Sequence, residues 1–337
     1  MTNFNSISDL SRAFQMRLGQ SSLKARVATL SEESATGVKA DIPKALGGDL
    51  GRITQIESRL TLLDTHARNL AEAQSFLGAA QSGLENIQSR ASATGTVLLS
   101  DALVSSEASL NVYLNKAPGD LRAVIDSLNS AVAGRYVFAG SRTEQAPVVG
   151  YDAMMAQISA AVGGATTAAD ILAGIDAYFD APAGGGGFAD TGYLGNDTGN
   201  AAIAISPETR IAPPITASSQ DLRAALKGFA IMAYAAEAGG LDHSTRRELS
   251  RAAGGFLVQG EMDLTEARTL TGVGEEKVAQ AITSNQAERS ALQVARNGLI
   301  AADPYETATA LQEAEAQIET LYAITARLSK LSLADYL

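Results

Sequence analysis

Cysteine and tryptophan are absent from this chain, and histidine occurs only twice, as His66 and His243. Without cysteine there is no disulfide, no thiolate metal site and no cysteine nucleophile. Two histidines fall short of the three or four converging ligands that a protein metal centre needs, so no metal is expected. Aromatic residues make up only 5% of the 337 residues, against 46% apolar side chains overall. The core must therefore be built from Leu, Ile and Ala seams rather than around large rings. No window holds 18 consecutive apolar residues, so no membrane insertion is expected. Met1 to Leu18 has neither an apolar h-region nor a small-residue cleavage site, so no cleaved signal peptide is expected. With a net charge of −11 and a pI near 4.8, the chain lacks the clustered cations that bind phosphate backbones, and nucleic acid is not an expected partner.

Catalytic motifs are missing too. There is no HExxH pair, no GxxxxGK[ST] loop and no GxSxG elbow. Gly272-Val273-Gly274-Glu275-Glu276-Lys277 has phosphate-loop composition, but no strand pattern precedes it and its two glutamates would repel an anion. It reads as a bend or a helix restart. His66, beside Ala67, reads as a solvated or helix-paired side chain, and Asn196-Asp197-Thr198-Gly199 as a turn. No reaction, catalytic residue or cofactor is expected.

What is present is a heptad repeat. Ile56, Leu63, Leu70, Leu77, Leu84, Ala91 and Leu98 recur every seven residues, inside a stretch without proline from Lys44 to Ala117. Ile53, Leu60, Ala67, Ala73, Ala80 and Ile87 widen the stripe, and a strict seven-residue period winds a helix left-handed against a partner. The spacing predicts one helix from Asp49 to Tyr113, roughly 100 Å long at 1.5 Å per residue. Gln74, Gln81 and Gln88 follow the same period beside the seam and are expected to make polar contacts between helices.

Proline placement divides the rest. Five of the eight prolines (Pro147, Pro182, Pro207, Pro213, Pro214) fall between 147 and 214, a region that also carries Gly184 to Gly187 in a row. From Gln145 to Pro207 its only charges are Asp152, Asp170, Asp176, Asp180, Asp190 and Asp197. This composition shift marks an insert between two helical arms. Before it, Leu121, Val124, Ile125, Leu128 and Val132 continue a helical stripe that Gly134 ends, and Tyr136 to Ala139 reads as a short strand. Ile203-Ala204-Ile205 and Ile211 suggest small strands within the insert. Leu222, Leu226, Phe229 and Ala233 open a second helical series that runs on through Leu299, with soft spots at Gly254-Gly255 and Gly272 to Gly274.

Both ends are amphipathic. Phe4, Ile7, Phe14 and Leu18 form one apolar stripe, and Leu311, Ile318, Leu321 and Leu328 another. Residues 1 to 30 carry Arg12, Arg17, Lys24 and Arg26 against Asp9, whereas 303 to 337 carry six acids against Arg327 and Lys330. The two ends are expected to pair with each other, or to present these eight residues to neighbouring copies.

Several segments resemble the flagellin-like superfamily, over roughly 1 to 140 and 219 to 337. Leu30-Ser31-Glu32-Glu33-Ser34-Ala35-Thr36-Gly37-Val38 is similar to the family's passage at the end of its first helix. Gly134-Arg135-Tyr136-Val137-Phe138-Ala139-Gly140-Ser141-Arg142-Thr143 is similar to its entry into the outer domain, and Tyr193 to Asp197 with Ile203 to Ile205 resembles strands there. Asp303-Pro304-Tyr305-Glu306-Thr307-Ala308 and the closing Leu328 to Leu337, ending Asp335-Tyr336-Leu337, resemble the hook-filament junction branch. In place of the family's Ser-Asp-Asp-Pro loop stands Asp41 to Gly48.

The resemblance implies a mainly α, flagellin-like fold with a small inserted β-rich or α+β outer domain. Residues 1–45 and 300–337 would form paired terminal helices, 46–140 and 219–299 a long-helix coiled-coil bundle, and 141–218 the insert. It further implies a structural component of the bacterial flagellum, serving extracellularly as an adaptor ring at the hook-filament junction. The chain would leave the cell through type III export with a flagellar export chaperone and without a cleaved signal. Its partners would be copies of itself, hook-associated protein 1 and flagellin. A flagellin remains an alternative, and a cytoplasmic helical signalling rod a remote one that leaves Gly134 to Thr143 unexplained.

Overall fold

The computed structural model describes residues 4–100, 106–197, 202–206, 208–212 and 215–334, with the side chains of 4–10, 12–13 and 328–334 outside the described set. In chain order the elements are α1 (Phe4–Thr36), α2 (Ile42–Ala45), α3 (Gly51–Leu98), α4 (Glu107–Leu128), β1 (Ala131–Val132), β2 (Arg135–Tyr136), α5 (Tyr151–Val162), α6 (Ala168–Asp180), β3 (Ile203–Ala204), β4 (Arg210–Ile211), α7 (Gln220–Glu237), α8 (His243–Ile300) and α9 (Pro304–Ala334). The chain is mainly α with two small two-stranded sheets. It divides into one unit of residues 1–63 with 286–337 and another of 64–285.

In the first unit, α1 ends where Gly37 enters the left-handed region at φ +69°, its N–H reaching the Glu33 carbonyl at 2.9 Å. The chain then pairs with the α8–α9 junction: the Gly37 carbonyl accepts from Ala302 N–H at 3.0 Å, and Lys39 N–H donates to the Ile300 carbonyl at 2.9 Å. This seats the end of α1 beside the start of α9, and the two helices pack antiparallel. Within Asp41 to Gly48, the segment that departs from the family pattern, Asp41 caps α2 by accepting from Lys44 N–H at 3.0 Å. Ile53, Ile56 and Leu63 of α3 are buried. Arg59 clamps Glu288 of α8 through two hydrogen bonds of 2.6 and 3.1 Å.

In the second unit the heptad seam is buried throughout: Leu70, Leu77, Leu84, Ala91 and Leu98 are each at most 1% exposed. It faces α8, which runs antiparallel to it. Gln88 donates to Thr265 Oγ1 at 2.8 Å and accepts from Arg268 at 2.6 Å, so this member of the glutamine series does bridge helices. α7 is buried on every side from Ala225 to Ala235, which makes it the central helix around which the others pack.

Three local expectations are corrected. The helix predicted from Asp49 to Tyr113 stops at Leu98, and α4 begins after Ser106, whose hydroxyl caps Ser109 N–H at 3.4 Å; residues 101–105 lie outside the described set. One heptad past Leu98 stands Ser105, so no apolar side chain continues the seam, and serines compete with helix backbone for hydrogen bonds. The strand expected over Tyr136 to Ala139 is instead Arg135–Tyr136, paired with Ala131–Val132 across a two-residue turn in which Ala133 (φ +50°) and Gly134 (φ +78°) are both left-handed. Val137 to Ala139 are buried, and Phe138 lies where any Cβ on Gly83 would meet its ring at 3.0 Å. The bend or restart expected at Gly272 to Gly274 does not occur, and Gly254-Gly255 is no break either: α8 is continuous from His243 to Ile300. Gly254 instead permits close packing, since a Cβ there would lie 3.0 Å from Leu98 Cβ and 3.2 Å from the Gly95 carbonyl. Tertiary packing outweighs the ~1 kcal/mol helix penalty of each glycine.

The insert holds the expected ladder, Ile203↔Ile211 and Ala204↔Arg210, together with two helices that the apolar pattern hid, α5 and α6. Pro207, Pro213, Pro214, Thr198 and Gly199 lie outside the described residues. Its aspartates prove to be acceptors for neighbours that need no cation inside the insert. Asp170 joins the Thr167 cap of α6, Asp197 accepts from Ser218 and Thr216 at 2.5 and 3.0 Å, and Asp190 accepts from Gly184 and Gly186 N–H at 2.8 and 2.7 Å. Those N–H groups hold the Asp190 carboxyl below its ordinary range.

Asp176 and Asp180 on α6 both meet Lys227 of α7, at 2.5 and 2.7 Å. The Lys227 side chain is 6% exposed while the two carboxylates are 46% and 64% exposed, and its ammonium lies 4.6 Å from the Phe256 ring centroid. An unpaired buried charge costs more than a hydrated one. Asp176→Asn with Asp180→Asn is therefore expected to destabilise the unit by about 3–5 kcal/mol, more than Lys227→Met, whose stranded carboxylates rehydrate. Urea denaturation of the two variants checks the order.

Candidate assembly surface

The terminal helices α1 and α9 carry the assembly residues named from sequence, and the first question is which way each one points. On α1, Met16, Gln20, Leu23, Val27 and Leu30 are half-buried, spaced alternately four and three residues apart. That is the seam of a two-helix contact. On α9, Thr307 and Ala314 are buried while Leu311, Ile318 and Leu321 are half-buried, again with alternating spacing. Leu23 of α1 lines a shallow cavity of about 370 Å³ together with Ala316, Gln317, Thr320, Leu321 and Ile324 of α9. Leu311, Ile318 and Leu321 thus lie on the face that meets α1 within the same chain.

Phe14 and Leu18 do not face α9. They are 63% and 55% exposed and lie outside the Met16–Leu30 seam. The side chains of Phe4, Ile7 and Leu328 lie outside the described residues, as does the closing Asp335-Tyr336-Leu337. No described side chain of α1 is buried. A helix of 33 residues that buries none of its described side chains gains little from tertiary packing, the main source of helix stability in water.

Charge does not close this arm. Lys24 lies 5.9 Å from the Tyr322 ring centroid and, with Gln20, holds the phenol below its ordinary range. Among the described residues no ion pair joins α1 to α9, so Glu306, Glu313, Glu315 and Glu319 face solvent. The sequence reading expects the two ends to pair through apolar stripes of opposite net charge; among the described residues they meet on an antiparallel, mostly apolar seam without ion pairs. That reading also missed the pairing face of α1, although its alternating three-four spacing was open to detection.

Neither histidine sits in a cluster of possible ligands: among the described residues no group of three His, Asp or Glu side chains is placed to hold a metal ion. No described helix is long and apolar enough to cross a membrane.

Residues 259–337 match the family model of the bacterial flagellin C-terminal helical region. No curated protein matches the chain. A solved structure of a candidate flagellar hook-associated protein from Vibrio parahaemolyticus overlays on 73% of this chain and 95% of its own, with a TM-score of 0.48 and 9% identity. An overlap of that size constrains neither fold nor role. The matched segment covers α8 from residue 259 onward and all of α9, the helix that supplies one side of the pairing face just described. Residues 259–337 are therefore similar to a flagellin C-terminal helical region, in a chain whose described residues are mainly α.

Proposed function

We propose that this protein is a structural subunit of the bacterial flagellum and that its terminal arm, α1 with α9, polymerises with the arms of neighbouring copies. The observation that carries this reading is the arm itself: two helices of 33 and 31 residues paired on one seam, with Phe14 and Leu18 bare, in a chain whose α9 lies in the segment that matches the flagellin C-terminal helical region. Such an arm acquires a core only when further helices cover it. Head-to-tail contact between copies supplies them and generates rings or helical arrays.

Within that reading the finer role is an adaptor ring of hook-associated protein 3 type, outside the cell, between hook-associated protein 1 and the flagellin filament. The three-part division of the sequence goes with it, residues 141–218 forming an outer domain. Export through the flagellar type III channel with a chaperone goes with it as well, since a chain that orders its ends only on assembly remains threadable until its partners are present. Support comes from the segments ending in Asp335-Tyr336-Leu337 and from the short insert. A second reading, a filament flagellin, is favoured by the family description of residues 259–337. Gold-labelled antibody on isolated flagella separates the two. Label confined to the point where hook meets filament supports the adaptor, label along the shaft supports the flagellin, and absence from flagella overturns both.

A further inference from the structure

The unit that carries the arm also carries a groove, of about 630 Å³, between the first turns of α3 and the last turns of α8. Its floor is apolar, from Ile56, Leu62, Leu292 and Ala295, and its rim is cationic, from Arg52 and Arg59, with no carboxylate in the lining. Arg59 is engaged by Glu288, but Arg52 has no ion-pair partner among the described residues. Within that floor Leu62 is 39% exposed. A groove of this kind takes a helix face that is apolar along one side and acidic along the other.

The chain itself presents one such face. From Pro304 to Ala326, α9 contains four glutamates and no lysine or arginine. At 100° per residue, Tyr305, Glu306 and Glu313 fall within one sector, turned by about 100° or more from the centre of the Thr307–Leu321 seam. Tyr305 is 84% exposed, and the glutamates lack ion-pair partners among the described residues. Spacing matches as well as charge. Arg52 and Arg59 are seven residues apart, and so are Glu306 and Glu313, about 10.5 Å of helix in each case.

We propose that this groove receives the outward face of α9 from a second copy of the chain, with Glu306 and Glu313 against Arg52 and Arg59 and Tyr305 over the apolar floor. The inference rests on the polymerisation reading above and names the surface that one copy offers the next. It is a heterologous contact, groove to helix, and so propagates rather than closing into a symmetric dimer.

Charge reversal in flagellated cells tests it. Arg52→Glu places an acid on the first turn of α3, where a helix N-terminus tolerates it, so the chain still folds. Incorporation into flagella is expected to fall at least tenfold. Adding Glu306→Lys and Glu313→Lys to the same chain is expected to restore most of it. Because the protein has no cysteine, Ser58→Cys with Thr309→Cys provides a clean second readout: mild oxidation of assembled material is expected to give a ladder of covalent multimers.

Normal incorporation of Arg52→Glu, or no recovery with the compensating pair, overturns the proposal. So does a cross-link that stays within one chain or joins a different flagellar protein. If Arg52→Glu incorporates normally while Phe14→Asp does not, the groove falls and the polymerising arm stands; if both incorporate normally, the polymerisation reading itself fails.

Discussion

Phe14→Asp combined with Leu18→Asp is expected to yield a folded, soluble chain that fails to enter flagella. Both side chains are more than half exposed and outside the α1–α9 seam, so two carboxylates there cost the isolated molecule almost nothing. In an assembly that covers them, each loses about 1.5–3 kcal/mol of apolar burial and adds a charge that must be desolvated. Together these reduce incorporation by at least about a hundredfold, since each 1.4 kcal/mol is a factor of ten. Circular dichroism of the purified chain and its amount in sheared flagella are the two measurements. Wild-type incorporation would remove the basis for an assembly role.

Ile318→Asp gives a different outcome, although the sequence grouped Ile318 with Phe14. Ile318 lies on the seam with α1, so its replacement unpairs the arm before any neighbour is met. Loss of helical signal accompanies its loss of incorporation. Comparing the two variants separates a surface that copies share from one that each copy uses internally.

The second large effect concerns two glycines in one helix. A Cβ on Gly260 would lie 2.7 Å from the Ala225 backbone nitrogen and 2.9 Å from its Cα, whereas one on Gly272 would meet nothing within 4 Å. Both sit inside α8, where alanine is favoured over glycine by about 1 kcal/mol. Gly272→Ala therefore stabilises by about 0.5–1 kcal/mol. Gly260→Ala forces α7 and α8 apart against backbone that cannot yield, and the overpacking outweighs the propensity gain for a net loss of about 1–3 kcal/mol. Thermal melts should move in opposite directions. Matching shifts would mean that the helices do not approach as closely as described.

Much of the helical framework was legible from period alone. Ile56 to Leu98 are buried at every heptad position, because a seven-residue repeat can bury its stripe only against another helix. The end of α1 at Thr36-Gly37 was equally readable, since a glycine after a helical run takes the left-handed cap. Other boundaries were not. The break after Leu98 depends on a serine cap, and the continuity of α8 through Gly272-Val273-Gly274 depends on what packs beside it. The insert's helices α5 and α6 were masked by a composition of alanine, glycine and aspartate that carries little amphipathic contrast. Its lack of cations had no reading in sequence terms, because the cation that answers Asp176 and Asp180 lies on α7, at Lys227, 47 residues from Asp180.

For the assembly surface, the sequence determined which helices are sticky and left open which side of each is free. Hydrophobic period gives the existence of an apolar stripe but not its partner, and Phe14 and Ile318 look alike by that measure. Their roles diverge only in three dimensions: antiparallel pairing uses Met16 to Leu30 against Thr307 to Leu321 and leaves Phe14 and Leu18 facing water. Local sequence sets the pattern along each helix. The rotation of one helix about another is chosen by the best joint packing of both, a property of the pair that neither sequence carries alone.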